Sequence, residues 1–158
     1  VGTVIVKDMS RLGRNYLQVG MYTEINVCFD LYRDTSKEVI DILHSLIDGT
    51  DKPDVLPGHK FFKCDRWYMV ACCDSYSFDG STNSKMIFDT ISKIWKVNIR
   101  ANLKNYDSEI EHFLDWLVPY IETEGFIGYT RYEEYENPTL VYIEDGKAVF
   151  KYVEPDEY

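Results

Sequence analysis

The sequence has few features that point to a metal, a membrane or a disulfide framework. Its four cysteines form no CxxC pair, and His44, His59 and His112 are scattered along the chain. No apolar run approaches the roughly 20 residues that a membrane-spanning helix needs, and no secretory leader pattern is recognisable. We therefore expect free thiols, no metal ion, no cofactor, no membrane partner and a cytoplasmic location.

Positive charge is scarce, and most of it lies in the first two thirds of the chain. The formal net charge is −10; residues 105–158 hold 14 acidic and 3 basic residues, whereas residues 1–104 hold 13 and 14. An acidic surface repels phosphates, which argues against a DNA-binding face on the second half. That half is interpreted as a solvated surface, and the alternative is a docking site for a protein partner.

The chain does contain enough apolar residues to form one domain. Its 158 residues are 45% hydrophobic and 15% aromatic, with 13 tyrosines, a composition that favours strands. The change in pattern along the chain divides it into an arm at 1–24, a domain at 25–153 and an acidic tail at 154–158.

Hydrophobic periodicity predicts two amphipathic helices. One covers 34–49, where Thr35 and Glu38 form a capping-box pattern, and the other covers 105–125. In the second, Asp107 or Ser108 is the expected cap, and Pro119 is expected to end or kink the helix. The arm itself predicts a strand at 3–9 followed by a helix at 14–24.

Strands are predicted in the remaining apolar segments. They lie at 25–32, at 66–78, twice within 86–103 with a break near Ser92, at 125–134, and in a hairpin through Asp145 and Gly146. Residues 25–36 also resemble residues 97–108 at an offset of 72, through either duplication or chance. The order β-α-β-β, β-α-β-β predicts an α+β fold with both helices on one face of an antiparallel sheet.

The most specific motif of the chain is VKDMSRLGRN, at residues 6–15. It resembles the segment of serine recombinase catalytic domains, the resolvase–invertase family, in which a strand runs into a turn and a long helix. The resemblance implies that Arg11 and Arg14 contact the scissile phosphate of DNA, which suits guanidinium groups. It covers the first 24 residues, does not include the family's nucleophilic serine, and implies a bacterial mobile-element setting.

Residues 25–153 contain no catalytic or metal-binding pattern. An aromatic set could line a binding groove or form sheet core, and an acidic run could contact a ligand or be solvated. The candidate binding residues are Trp67, Tyr129, Tyr132, Glu133 and Glu134.

These observations favour a noncatalytic protein-interaction domain that carries a recombinase-derived N-terminal segment. One alternative is a fragment of a site-specific serine recombinase, which would act on DNA. The second alternative is a small-molecule binder with a pocket between the helices and the sheet.

Overall fold

A computed structural model describes residues 21–78 and 82–154, which form an α+β fold. These residues contain two α-helices and six strands: α1 Lys37–Asp48, α2 Glu109–Leu117, β1 Thr23–Leu31, β2 Lys85–Asp89, β3 Ile94–Leu103, β4 Gly125–Tyr132, β5 Thr139–Glu144 and β6 Lys147–Tyr152. The strands form one antiparallel sheet in the order β2-β3-β1-β4-β5-β6. The predicted fold class is confirmed.

One face of the sheet is buried beneath both helices, and the other face is open except at one end, where Asn102 is buried against Asp74 and Ser75. Alternate residues of β1, including Ile25, Val27 and Phe29, are buried in the same core as the apolar stripes of α1 and α2. The residues between them face the open side, where Cys28 is exposed. Strand alternation on a half-buried sheet produces this division.

Strands β1 to β4 and both helices have the split β-α-β topology of ferredoxin-like folds. Val27 of β1 pairs with Ile99 of β3, and these positions differ by the same offset of 72 that relates the two similar sequence segments. This register and strand order are those expected if a two-fold axis between Val27 and Ile99 related β1 to β3 and β2 to β4. The two topologically similar units are β-α-β rather than the β-α-β-β units predicted, and the β5–β6 hairpin lies outside them.

The strand predicted at 66–78 is wrong. Residues Trp67–Met69 form a 3-10 turn, as do Lys60–Lys63, and the chain continues in turns to Phe78. The buried residues Val70 and Ala71 are adjacent, which does not fit the alternation of a half-buried strand. The segment crosses from the helix side, where Val70 is buried, to the other face of the sheet, where the Phe78 ring lies against Arg131.

The end of the helix predicted at 14–24 is also wrong, because Thr23 and Glu24 belong to β1. The rest of that element, and residues 155–158 of the predicted tail, lie outside the described residues. Both predicted helices exist; Ser108 is at the N-cap position as predicted, whereas Ser36 rather than Thr35 is at the N-cap of α1. Ser36 and Ser108 occupy the N-cap positions without side-chain hydrogen bonds; instead, the Asn105 side-chain oxygen accepts from Ile110 N–H at 2.8 Å.

Pro119 lies in a 3-10 turn, Val118–Tyr120, that ends α2 as predicted. The break near Ser92 and the hairpin through Asp145 and Gly146 are likewise confirmed. Asp145 and Gly146 both have positive φ, 53° and 70°, which is the backbone of a type I′ turn.

Candidate functional site

The predicted binding residues lie at separate places. Trp67 lies on the helix side, with its ring centroid 6.0 Å from that of Phe61 and 5.1 Å from that of Phe62. Tyr129 lies on β4 opposite Asn26 and therefore on the open face; the Asn26 side-chain amide donates to its hydroxyl at 3.4 Å. The structure does not bring Trp67 and Tyr129 together.

The other three predicted residues follow one another at the end of β4. Glu133 joins this end to the residue before β1, because its N–H donates to Tyr22 O at 3.0 Å and its carboxylate accepts from Tyr22 N–H. Tyr132 packs edge-on against Tyr135, with the ring centroids 5.3 Å apart. Glu134 follows, half-buried. Arg11 and Arg14 lie outside the described residues.

The segment that contains Trp67 is held in place by a buried carboxylate. Glu109, at the start of α2, is fully buried and accepts from Arg66 N–H at 3.1 Å and from Asp107 N–H at 3.0 Å. Burial raises the pKa of the nearby Cys64 thiol, and the carboxylates of Glu109 and Asp107 raise it further. These groups stabilise the fold and leave the thiol protonated at neutral pH.

A histidine–carboxylate pair at His59 and Asp115 is fully engaged in structural contacts. The His59 Nδ1 atom accepts from Phe61 N–H at 3.1 Å, and its Nε2 atom lies 3.1 Å from the Asp115 carboxylate. A ring whose two nitrogens are both engaged has no free atom to take a proton from a substrate. We therefore interpret His59 as the N-cap of the Lys60–Lys63 turn, with Asp115 holding its ring in place.

Three exposed apolar residues lie close together in sequence at the β2 edge of the sheet. Ile87 is 59% exposed, Phe88 is 39% exposed, and Ile91 in the following turn is 92% exposed. β2 pairs only with β3 among the described strands, so its other side presents unpaired backbone N–H and C=O groups. Consecutive apolar residues on an unpaired strand offer contacts on both faces of the sheet.

A groove of about 550 Å³ lies beside this strand on the helix side. Its apolar residues are Ile40, Phe88 and Trp95, and the charged residues in its lining, Arg33 and Lys37, are both cations. The Trp95 ring is fixed by Phe88 at 5.1 Å and by His44 at 6.0 Å, in edge-on contacts. We call these residues, together with Ile87, the β2 edge groove.

Local sequence explains how the groove is built. The Asp89 carboxylate accepts from Ile91 N–H at 2.9 Å, which closes the β2–β3 turn and leaves Ile91 exposed. Hydrogen bonds from Ile91 and Ser92 hold the pKa of Asp89 below its ordinary value. Lys93 has a φ of 62° and completes the turn.

Sequence reasoning missed Arg33, Ile87, Phe88 and Ile91. The signal was present in MIFDTIS, where adjacent apolar residues precede a turn that contains another. A groove between an edge strand and a helix with a cationic, aromatic lining can bind an extended peptide. Among residues 21–78 and 82–154, no cluster of three or more His, Cys, Asp or Glu side chains is suited to hold a metal ion.

Comparison of the chain with protein families, curated proteins and solved structures gave no match. Within the described ranges, neither helix has the length and apolar character needed to span a membrane.

Proposed function

We propose that this protein is a noncatalytic interaction domain that binds an extended segment of another protein along the outer edge of β2. The observation that carries the proposal is the pair Ile87 and Phe88, which are both exposed on consecutive positions of an unpaired edge strand. Edge strands of monomeric proteins are usually protected by charge, proline or a bulge.

The two faces of the strand favour a strand-like occupant. Phe88 lines the groove on the helix side, whereas Ile87 pairs with Lys96 and faces the open side. An added strand places successive side chains on opposite faces, so it would contact both residues at once while its backbone bonds to β2.

The charge of the groove favours a partner segment that carries carboxylates. Arg33 has no ion-pair partner within the described part of the chain, and Lys37 is 2.6 Å from Asp41. A carboxylate bound beside Arg33 would gain a charge-assisted contact. The proposed occupant is an extended segment of another protein with apolar and acidic residues.

Selection from a library of short random peptides tests this proposal. Peptides retained by the protein are expected to combine apolar and acidic residues, and their binding is expected to protect β2 amides from exchange. Ile87→Lys should weaken binding about tenfold or more while changing the free energy of unfolding by less than about 0.5 kcal/mol, since the site is exposed.

Phe126→Lys is the matched control, because Phe126 is 56% exposed but lies on β4. It should leave peptide affinity unchanged. Equal affinity of both variants, or no enriched peptide, would contradict the proposal. Concentration-dependent dimerisation that Ile87→Lys abolishes would instead identify a second copy of this chain as the occupant.

A small-molecule function has its own supporting observation. Tyr132, one of the predicted binding residues, lines a cavity between α2 and the sheet, on the side away from β2. The chemistry of that cavity is distinct from that of the β2 edge groove.

A further inference from the structure

The helix-side face of the sheet changes from apolar to hydroxyl-bearing at one end. Ile25 of β1 pairs with Thr130 of β4, and Thr130 pairs in turn with Thr139 of β5. Thr23 lies two positions before Ile25 and therefore on the same face. Three threonines on neighbouring strands thus replace the aliphatic residues that cover the rest of this face.

These threonines border a cavity of about 280 Å³ that also contacts Asn105 and Glu111. The rings of Tyr132 and Tyr135 form part of its wall. We call this the hydroxyl cavity. Its volume is just below the roughly 300 Å³ at which drug-sized pockets begin, so it suits a ligand of about monosaccharide size.

Two of the hydroxyl groups are buried and have no hydrogen-bond partner among the described residues. Thr23 is 8% exposed and Thr130 is 5% exposed, yet neither side chain makes a hydrogen bond within the part of the chain that the structure describes. Buried polar groups are nearly always hydrogen-bonded, and each exception requires an explanation. A ligand that supplies the missing partners is such an explanation.

Glu111 provides a further hydrogen-bond acceptor at the cavity. The Asn105 side-chain amide donates to one Glu111 carboxylate oxygen at 2.8 Å, while the Asn105 oxygen accepts from Ile110 N–H. Asn105 thereby fixes the carboxylate at the border of the cavity, and the second Glu111 oxygen retains its capacity to accept. A carboxylate at this position disfavours an anionic ligand.

We propose that the hydroxyl cavity binds a neutral polyol of monosaccharide size, either a free sugar or the terminal sugar of a glycan. Sugar hydroxyls both donate and accept, as threonine hydroxyls do, and the Glu111 carboxylate accepts from a further hydroxyl. The tyrosine rings offer an apolar surface to the C–H face of a sugar ring. This proposal does not depend on the β2 edge groove.

Saturation-transfer NMR and thermal unfolding of the full chain test the proposal. The probes are glucose, galactose, mannose, N-acetylglucosamine and ribose, with ethanolamine and spermidine as cationic probes. At least one sugar is expected to receive saturation and to raise the melting temperature. Methyl glycosides that bind as well as the free sugar would indicate a glycan terminus, and loss of binding on methylation would indicate a free sugar.

Thr130→Val separates binding from folding because it removes a hydroxyl and nearly preserves shape. It should weaken sugar binding about tenfold and leave the melting temperature without sugar unchanged or higher, since no protein hydrogen bond is lost. Thr50→Val, in an exposed loop outside the cavity, is the matched control and should change neither.

Ile87→Lys should leave sugar binding intact, which distinguishes failure of this site from failure of the edge-strand proposal. The proposal is overturned if no sugar binds, if only the cationic probes bind, or if Thr130→Val binds sugar as tightly as the unmodified protein.

Discussion

The two edges of the sheet differ in how they are protected. Along β6, Lys147 and Lys151 are exposed, and Lys151 pairs with Glu144 at 3.0 Å. Along β2, the exposed residues include Ile87 and Phe88. Lysines on an edge strand disfavour addition of another strand, whereas consecutive apolar residues favour it. Lys85 is exposed on β2 as well, and Tyr152 is exposed on β6, so the two edges differ mainly in the middle of the strand. There Ile87 and Phe88 are exposed on β2, whereas the apolar residues of β6 are half-buried between two lysines.

The largest effect is expected at Gly128, which joins the β6 side of the sheet to its centre. Gly128 pairs with Val27 at a β-bulge in β4 and has a φ of 149°. A Cβ atom there would lie 2.0 Å from the Asn26 carbonyl oxygen. Gly128→Ala should lower the free energy of unfolding by about 3 kcal/mol, measured by urea denaturation.

Gly146→Ala is the control for this prediction. Gly146 also has positive φ, 70°, but a Cβ atom there would meet nothing within 4 Å. Backbone strain alone should cost about 1 kcal/mol. Equal losses in the two variants would mean that close approach to β1 is not what requires glycine at position 128.

A smaller effect on stability, but a change in association, is expected when the β6 edge is made to resemble β2. The double variant Lys147→Thr, Lys151→Ile should change the free energy of unfolding by less than about 0.5 kcal/mol, because exposed ion pairs contribute little. It should self-associate in sedimentation experiments. Lys60→Ile, an exposed change in the Lys60–Lys63 turn, should stay monomeric.

If the double variant stays as monomeric as the unmodified chain, an unprotected edge is not sufficient for association. The β2 edge would then depend on its groove, with Trp95 and Arg33, rather than on exposure alone.

The smallest effect is expected from the turn that ends β2. Because the folded-state pKa of Asp89 is lowered, its contribution to stability is present above the ordinary aspartate pKa of about 3.9. That contribution is lost as pH falls through the lowered value. As the pH is lowered below about 4, amide protection in β2 should therefore be lost at a higher pH than protection in β6. Asp89→Asn should remove this difference. Simultaneous loss at both edges would contradict the prediction.

The sequence predicts helices and strands better than it predicts which residues contact one another in the fold. The alternation around Val27 and the helical stripe around Leu43 are local patterns, and both predictions are confirmed. Trp67 and Tyr129 look alike in sequence but lie on opposite faces of the sheet, because a face is assigned only when strands pair. The sequence also could not predict that Ile87 is exposed, because strand order decides which strand lies at an edge.

The position of β1 between β3 and β4 also determines when the protein can fold during its synthesis. Val27 pairs with Ile99 and Gly128, which follow it by 72 and 101 positions. At about 5–20 residues per second, a ribosome needs roughly 4 to 14 seconds to add the first partner and longer for the second. Helix formation takes less than about a microsecond, so α1 can form long before the sheet that covers Leu43 and Leu46. For those seconds the apolar residues of the 12-residue α1, which is too short to be stable alone, and of the unpaired central strand are not covered, which is when we expect the chain to need a chaperone.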